Sequence, residues 1–258
     1  MQIVAGVVLA AIVAAIAHAA GSLTRGGAVA AFVVGAIVFS AGGWPGSAVL
    51  FAFFIPSTLL SRVGRARKRS IESDAQHGAR NGWQVAANGG VAAFCALAGT
   101  HGGALFAAAF AGAFAAASAD TWATEIGMLS RSAPVSIVTF ESVAPGFSGG
   151  VTPLGIAATV AGALWIGAVA AAVHLAPFWC VALGGVAGTL LDSLAGATVQ
   201  ALRWCPRCGR HSEFRRHGCG APTELRRGVG WIENDAVNFG ATLCGAIVAA
   251  FASAQFAG

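Results

Sequence analysis

Eight apolar stretches of membrane length divide the chain, and short polar or charged connections separate them. A run of roughly twenty apolar residues crosses a bilayer as an α-helix. The pattern therefore predicts spans over residues 1–20, 28–43, 47–62, 84–100, 104–126, 155–174, 178–201 and 236–255. We expect an all-α, polytopic transmembrane bundle that forms a single integral membrane domain over residues 1–258 and contains a cytoplasmic loop rich in Cys, His and Arg at residues 203–235.

The composition supports a membrane protein and excludes an ordinary soluble domain. Hydrophobic residues make up 57% of the chain and charged residues 10%, whereas soluble domains carry about 25% charged residues. The 36 glycines favour close contact between helices in lipid, where small side chains let backbones approach. The first twenty residues lack the basic flank of a signal peptide, so we interpret them as a retained helix.

Basic residues fall on one side of this predicted topology. All 15 Lys and Arg residues lie in the connections that share one face, and the connections 41–46, 100–103 and 174–178 carry no charged residue. The positive-inside rule makes the basic face cytoplasmic, with both termini outside. We expect an integral protein of a bacterial inner membrane. The net charge of +5 thus indicates topology and contact with anionic lipid rather than nucleic-acid binding, and some arginines could also meet an anionic substrate.

The fifth span carries two acidic residues, Asp120 and Glu125. Carboxylates inside a span are costly and mark a functional site by default. At about 100° per residue, both fall on one polar arc of roughly 160° together with Ser118, Thr121 and Thr124. The alternative is that the acids reach water at the membrane surface, which suits Glu125 better than Asp120.

The fourth span begins with a polar stripe of Arg80, Gln84 and Asn88 at i, i+4 and i+8. A helix N-terminus at the cytoplasmic face attracts anions through its free N–H groups and dipole. The stripe therefore predicts a phosphate-binding surface that enters the membrane. The alternative is an interfacial arginine with two amides that join helices.

A glycine-rich loop at 145–155 precedes the sixth span. Ser148, Gly149, Gly150 and Thr152 are placed to surround a phosphate with backbone N–H groups, and Thr152 followed by Pro153 suits a helix start. The loop is not a Walker A sequence, because no Gly-Lys-Ser/Thr follows. A plain tight connection is the alternative.

Two further spans contribute polar groups at a similar depth. Asp192 lies in the seventh span with Gln200 two turns nearer the cytoplasm. Asn234, Asp235 and Asn238 open the eighth span, where Asn234 could cap the helix. Carboxylate and amide oxygens suit Mg²⁺ that carries phosphate oxygens. Ser-His-Asp and Cys-His sets are absent from the sequence pattern, which favours phosphoryl transfer, since that reaction relies on positioning and charge neutralisation.

The loop at 203–235 contains a possible zinc site. Cys205 and Cys208 form a Cys-x-x-Cys pair, Cys219 follows, and His211 or His217 supplies the fourth ligand. A cytoplasmic location argues against a stable disulfide. The alternative is a reduced basic loop that binds no metal.

The stretches 80–88, 118–127, 145–155, 192–196 and 230–238 resemble the membrane family called domain of unknown function 92, which includes transmembrane protein 19 and phytyl-phosphate kinases. The resemblance implies a kinase that converts a prenyl monophosphate to the diphosphate with a nucleoside triphosphate as donor. The prenyl monophosphate and the nucleoside triphosphate are then the expected partners.

On this basis Asp120, Asp192 and Arg80 are candidate catalytic residues. We expect Mg²⁺ at Asp120, Glu125, Asp192 and Asp235, and substrate or phosphate at Gln84, Asn88, Ser148, Gly149, Gly150, Thr152, Asn234 and Asn238. The main alternative is a transporter or flippase for an anionic lipid or ion, although the outer halves of the spans carry few polar residues. A lipid nucleotidyltransferase is a second alternative.

Overall fold

Eight helices and five short strands make up the described part of the chain. The computed structural model describes residues 2–71 and 78–256. The helices are α1 (Gln2–Ala19), α2 (Arg25–Ala41), α3 (Gly43–Leu60), α4 (Arg65–Ile71), α5 (Gly82–Gly127), α6 (Pro153–Ala172), α7 (Phe178–Thr198) and α8 (Asn234–Phe256). The strands are β1 (Val135–Ser136), β2 (Gly150–Val151), β3 (Leu202–Cys205), β4 (Arg210–Ser212) and β5 (Glu224–Arg227).

Helix α5 is the centre of the bundle and packs against α2, α3, α6, α7 and α8. Its 46 residues would extend about 69 Å as a straight rod, far more than a bilayer, and it breaks at Gly103 with φ 60° and ψ −146°. Only glycine adopts this conformation readily. Thr242 of α8 donates to the Ala87 carbonyl at 3.0 Å, and Gly245, one turn further along α8, touches Gly112. The two arms of α5 therefore lie side by side, as the fourth and fifth predicted spans.

The helical membrane fold is confirmed, and each predicted apolar segment is helical with ends shifted by a few residues. In the described part of the chain, five helical segments are long and apolar enough to cross a membrane: Gly43–Leu60, Gly103–Gly127, Pro153–Ala172, Phe178–Thr198 and Asn234–Gln255. Ile3–Ala19 and Arg25–Ala41 are apolar but shorter. The count of eight crossings stays a prediction.

Glycines allow α7 and α8 to touch through their backbones. A Cβ atom at Gly184 would lie 2.5 Å from the Gly245 carbonyl oxygen, and one at Gly188 would lie 2.6 Å from that of Ala241. Such contact between small residues holds helices together in lipid, where hydrophobic burial gives no net gain. This packing fixes the depth of α7 relative to α8, and so the depth of the polar groups that they carry.

A three-stranded antiparallel sheet in the order β4-β3-β5 occupies the predicted cysteine-rich loop. Strand β3 follows α7 almost directly, and β5 leads into α8. Trp204 pairs with His211 and Cys205 with Arg210 across the β3–β4 ladder. The sheet therefore sits where α7 ends and α8 begins, beside the polar ends of the spans.

Candidate functional site

An apolar cavity lies between α1, α2, α3 and the first arm of α5. Its interior offers about 80 Å³ of space, and it opens to the outside. Aliphatic and aromatic side chains form most of its wall, and the polar residues that line it are Arg80, Gln84 and Asn88. All three belong to the segment that starts α5, so the cavity has one polar end. The structure thus brings the predicted stripe together at a single cavity.

Arg80 is fixed by the α1–α2 connection rather than by a helix. Its N–H donates to the Ser22 carbonyl at 2.9 Å, and its carbonyl accepts from the Thr24 N–H at 3.0 Å. Gly27 allows this approach, because a Cβ there would collide with the Arg80 carbonyl oxygen. Burial lowers the pKa of Arg80, while the negative charge of Glu125 acts in the opposite direction. Arg80 is therefore a half-buried cation whose backbone is fixed by contacts with the α1–α2 connection.

Gln84 and Asn88 use part of their hydrogen-bonding capacity to build the helix start. The Gln84 Oε1 atom accepts from the Asn81 N–H at 2.9 Å, and Asn81 Oδ1 accepts from the Gln84 N–H at 3.0 Å, which forms a capping box. Asn88 Nδ2 donates to the Gln84 carbonyl at 2.9 Å. Among the described residues, these bonds do not engage Gln84 Nε2 or Asn88 Oδ1, which can meet a ligand in the cavity.

Glu125 forms an ion pair with Lys68, a residue that the sequence analysis did not single out. The Lys68 Nζ atom lies 2.5 Å from Glu125 Oε2 and donates to the Leu60 carbonyl at 2.8 Å. Lys68 is only 1% exposed and Glu125 15% exposed. The one available signal was composition, since Lys68 is the only lysine in the chain. Glu125 therefore faces two cations, Lys68 and Arg80.

Asp120 on α5 and Asp192 on α7 are electrostatic neighbours across the contact between these helices. The negative charges of Asp120 and Glu213 both act on Asp192, so the three carboxylates form one group, here called the acidic cluster. The Asp192 Oδ2 atom is buried and has no hydrogen-bond partner among the described residues. A buried carboxylate oxygen without a protein partner is costly, and a bound cation would remove that cost.

Glu213 is the member of the acidic cluster that the sequence analysis missed. Its Oε1 atom accepts from the Ser148 N–H at 3.0 Å, and its Oε2 atom accepts from Gln200 Nε2 at 2.9 Å. The same Gln200 nitrogen donates to Ser148 Oγ at 2.9 Å. Glu213 follows β4, so the small sheet delivers it to the end of α7. Only the tertiary placement of that sheet makes it a site residue.

The glycine-rich loop is seated on α7. Gly149 has a φ of +80°, and a Cβ at that position would lie 2.5 Å from the Ala197 Cβ and backbone nitrogen. The Gly150 N–H donates to the Phe147 carbonyl at 3.0 Å, so the amides of Ser148 and Gly150 are both engaged within the protein. Thr152 caps α6 by accepting from the Gly155 N–H at 3.0 Å, as predicted. The loop thus serves first to place Ser148 beside Glu213.

Helix α8 begins at Asn234, and the Glu233 carbonyl accepts from the N–H groups of Ala236 and Val237. Glu233 therefore occupies the cap position that Asn234 was expected to take, a difference of one residue. Asp235 has Glu233 as its electrostatic neighbour. Among the described residues, the charges that act on Asp192 are those of Asp120 and Glu213, and Asp235 is not one of them. Asn238 lies one turn deeper and is partly buried.

Four ligating side chains converge at the tip of the small sheet. The ligand atoms of Cys205, Cys208, His217 and Cys219 all lie within 4.8 Å of one another. His211 is not among them, because its ring packs edge-on against Trp204 with centroids 4.9 Å apart. The backbone N–H of Ala221 is the main cause that lowers the pKa of Cys219 to about 6. The hydrogen bond with Cys219 is in turn the main cause that raises the pKa of Cys208 to about 11.

The family comparison agrees with the motif resemblance. A family model described as integral membrane protein DUF92 matches residues 8–246. The chain belongs to this family. The match includes every residue of the cavity's polar end, of the acidic cluster and of the cysteine group, so these features lie within the DUF92 region.

Two relatives extend the DUF92 comparison. The chain is 29% identical over 237 residues to Protein PGR of Arabidopsis thaliana, which covers 79% of this chain and 80% of the plant protein. It is 35% identical over 150 residues to an uncharacterised membrane protein of Methanocaldococcus jannaschii, which covers 57% of this chain and 62% of that protein. No solved structure matches this DUF92 protein.

Proposed function

We propose that this protein is a kinase for a prenyl monophosphate, which transfers a phosphoryl group from a nucleoside triphosphate to form the prenyl diphosphate. One observation carries the proposal: an apolar cavity ends at the half-buried Arg80, whose electrostatic neighbour Glu125 lies on the same helix as Asp120 of the acidic cluster. Asp120 and Glu125, the neighbour of Arg80, are separated by about 7.5 Å along one helix axis. We further propose that the site faces the cytoplasm of an inner membrane, because the basic connections share that face.

The cavity suits the tail of an amphiphilic substrate. Ala10, Val13, Ala14 and Ala17 line it from α1, and Phe39 lines it from α2. A hydrocarbon tail that leaves lipid for this cavity gains little from the hydrophobic effect, since lipid is equally apolar. The wall therefore selects the tail by its length and shape. A linear or branched prenyl chain meets this requirement.

The polar end of the cavity suits the phosphate of that substrate. Arg80 supplies a planar cation that binds phosphate through two parallel hydrogen bonds, and Gln84 Nε2 supplies a neutral donor. Buried hydrogen bonds to charged groups contribute about 1.5–3 kcal/mol each. Glu125 and Lys68 lie behind Arg80, and their pairing keeps the local charge balanced before the phosphate enters.

The acidic cluster suits the magnesium ion that accompanies a nucleoside triphosphate. Mg²⁺ prefers carboxylate oxygens, and Asp192 Oδ2 is a buried carboxylate oxygen without a partner among the described residues. Asp120 and Asp192 would hold the ion, and Glu213 lies beside them. Glu125 and Asp235, the other expected ligands, have Lys68 and Glu233 as their neighbours. When bound, the ion neutralises negative charge on the triphosphate.

The reaction needs positioning more than proton transfer. An anionic oxygen of the prenyl monophosphate attacks the γ-phosphorus, and the bond from that phosphorus to the β–γ bridging oxygen breaks. The nucleoside diphosphate leaves with the electron pair of the broken bond. The attacking oxygen is already ionised near neutral pH, so a general base is unnecessary. Arg80 holds the acceptor, and the acidic cluster locates the donor.

The test is an assay of the purified protein with prenyl monophosphates, several nucleoside triphosphates and Mg²⁺, with products identified by mass. We expect a prenyl diphosphate, and a loss of at least about 100-fold in kcat/KM for Asp120→Asn and Asp192→Asn, as for removal of one strong electrostatic contact. Glu224→Gln is the matched control, because Glu224 is exposed and pairs with Arg226, which is exposed as well. Full activity in both aspartate variants would refute the assignment.

The same preparation separates the alternatives. A product that contains the nucleotide joined to the lipid would indicate a nucleotidyltransferase. Movement of labelled prenyl phosphate between the leaflets of proteoliposomes, without any change in its mass, would indicate a flippase. We expect neither, because the polar residues described above gather at one end of the helices.

A further inference from the structure

The cysteine group has the spacing of a tetrahedral metal site. Zinc–sulfur bonds of about 2.3 Å at tetrahedral angles place two sulfur atoms roughly 3.8 Å apart. The Sγ atoms of Cys205 and Cys219 are 3.7 Å apart, whereas a disulfide would require about 2.05 Å. The distance fits shared coordination of one ion and not a covalent bond between the sulfurs.

The backbone around each ligand pair is shaped to aim the side chains inward. Gly209 follows Cys208 with a φ of +62°, and its N–H donates to the Cys205 carbonyl at 2.9 Å. Gly220 follows Cys219 with a φ of +83°. The first turn closes the β3–β4 hairpin and the second lies between β4 and β5, and their ligand atoms lie within 4.8 Å of one another. Three cysteines and one histidine from separate turns therefore reach a common point.

The same sheet holds the acidic cluster together from outside the membrane helices. Glu213 lies between the two ligand pairs in sequence and binds the Ser148 N–H and the Gln200 amide. Arg215 pairs with Glu233 at 2.6 Å, next to the start of α8. A three-stranded sheet of this size has almost no hydrophobic core of its own. It needs another source of stability.

We propose that Cys205, Cys208, His217 and Cys219 bind one structural zinc ion, and that the ion stabilises the sheet that places Glu213 beside Asp192. Glu213 is then a positioning residue for Ser148 and Gln200. Zinc is the metal that matches a closed set of three thiolates and one imidazole. The assignment stands independently of the proposed kinase activity.

The first experiment measures metal content in protein purified without a polyhistidine tag. We expect about one zinc per chain, at most about a tenth of that in Cys208→Ser and Cys219→Ser, and a clear reduction in His217→Ala. His211→Ala is the matched control and should keep its zinc. Cobalt in place of zinc should give the visible absorption of a tetrahedral thiolate site. The assignment would be wrong if the wild-type protein contained no zinc after growth in zinc. It would also be wrong if His211→Ala lost its zinc while His217→Ala kept it.

The second experiment tests in the wild-type protein whether the zinc ion holds Glu213 in place, and the variant Glu213→Ala serves as a reference. A chelator removes zinc from the wild-type protein in detergent, and amide hydrogen exchange is followed over residues 145–152. We expect faster exchange there after zinc removal, by a factor similar to that in Glu213→Ala, and recovery when zinc is returned. Unchanged exchange in the zinc-free protein would disprove the link while leaving the metal site intact. Zinc content and exchange are both measured without substrate, so failure of the kinase proposal does not affect them.

Discussion

Lys68 and Glu125, 57 residues apart in the sequence, form a buried ion pair that joins α4 to the end of α5. Lys68 also donates to the carbonyl of Leu60, the last residue of α3. One cation thereby ties three helices at the polar end of the bundle. The negative charge of its partner Glu125 acts on Arg80, which lines the cavity. The ion pair therefore lies next to the polar end of the cavity.

Lys68→Met should destabilise the protein strongly. Removal of one partner from a buried ion pair leaves an uncompensated charge and lowers the free energy of unfolding by about 3–5 kcal/mol. We expect a loss at the lower end of this range, because Arg80 remains near Glu125. Thermal unfolding in detergent measures the change. Lys68→Met with Glu125→Gln should recover part of the loss, since no buried charge is then left alone. If the double variant is as unstable as the sum of both single variants, the pair is not coupled.

Arg80→Lys should impair substrate binding more than turnover. Lysine keeps the charge but cannot offer two parallel hydrogen bonds to a phosphate. On the proposed function, KM for the prenyl monophosphate should rise roughly 10- to 100-fold, which corresponds to one or two charged hydrogen bonds, while kcat stays within a few-fold. Steady-state kinetics measure both. Arg131→Lys, at an exposed position beyond α5, is the control and should change neither constant.

The positions of the helices could be predicted from the sequence because the bilayer fixes their length. The span limits 84–100 and 104–126 lie close to the two arms of α5, and the turn falls at Gly103, inside the expected connection. The number of membrane crossings is harder to predict, because α1 and α2 are apolar but short. Hydropathy locates such a helix without deciding whether it reaches both surfaces.

Helical periodicity alone gives the polar arc of the fifth span, but the residues that pack against this arc could not be predicted from the sequence. Asp120 and Glu125 lie about 140° apart around the helix, at five residues of 100° each. Asp120 therefore faces Asp192 on α7, and Glu125 faces Lys68. Helical periodicity gives the width of an arc. Only packing decides which helix lies against each edge of it.

Glu213 shows what one sequence cannot reveal. Its residue type and its charged neighbours resemble those of any solvated loop, and it becomes a site residue only because β4 leads it to Gln200 and Ser148. The choice between His211 and His217 has the same origin. The β3–β4 register turns His211 towards Trp204, and residue spacing does not encode that register.

On the proposed function, Ala10→Phe should shorten the preferred prenyl chain. Ala10 lies on the cavity wall, about 10 Å along α1 from Ala17, and is 2% exposed. A phenyl ring there would fill space that the end of a long tail needs, and a core that cannot expand resists overpacking. We expect kcat/KM to fall about tenfold or more for the longest accepted chain and to change little for short ones. Competition between chain lengths measures the shift. Ile12→Phe, at an outward position 51% exposed on the same helix, should leave the preference unchanged.

Gly149→Ala should detach the glycine-rich loop from α7. The position has a φ of +80°, and an added Cβ would lie 2.5 Å from Ala197, so backbone strain and collision act together. Strain of this kind costs about 1–3 kcal/mol. We expect a lower unfolding temperature, faster hydrogen exchange at Ser148 and, on the proposed function, reduced kinase activity, because Ser148 no longer meets Glu213. Gly90→Ala is the matched control: it lies inside α5 with open space around its Cβ position and should be neutral or slightly stabilising. If both variants behave alike, the loop does not depend on its contact with α7.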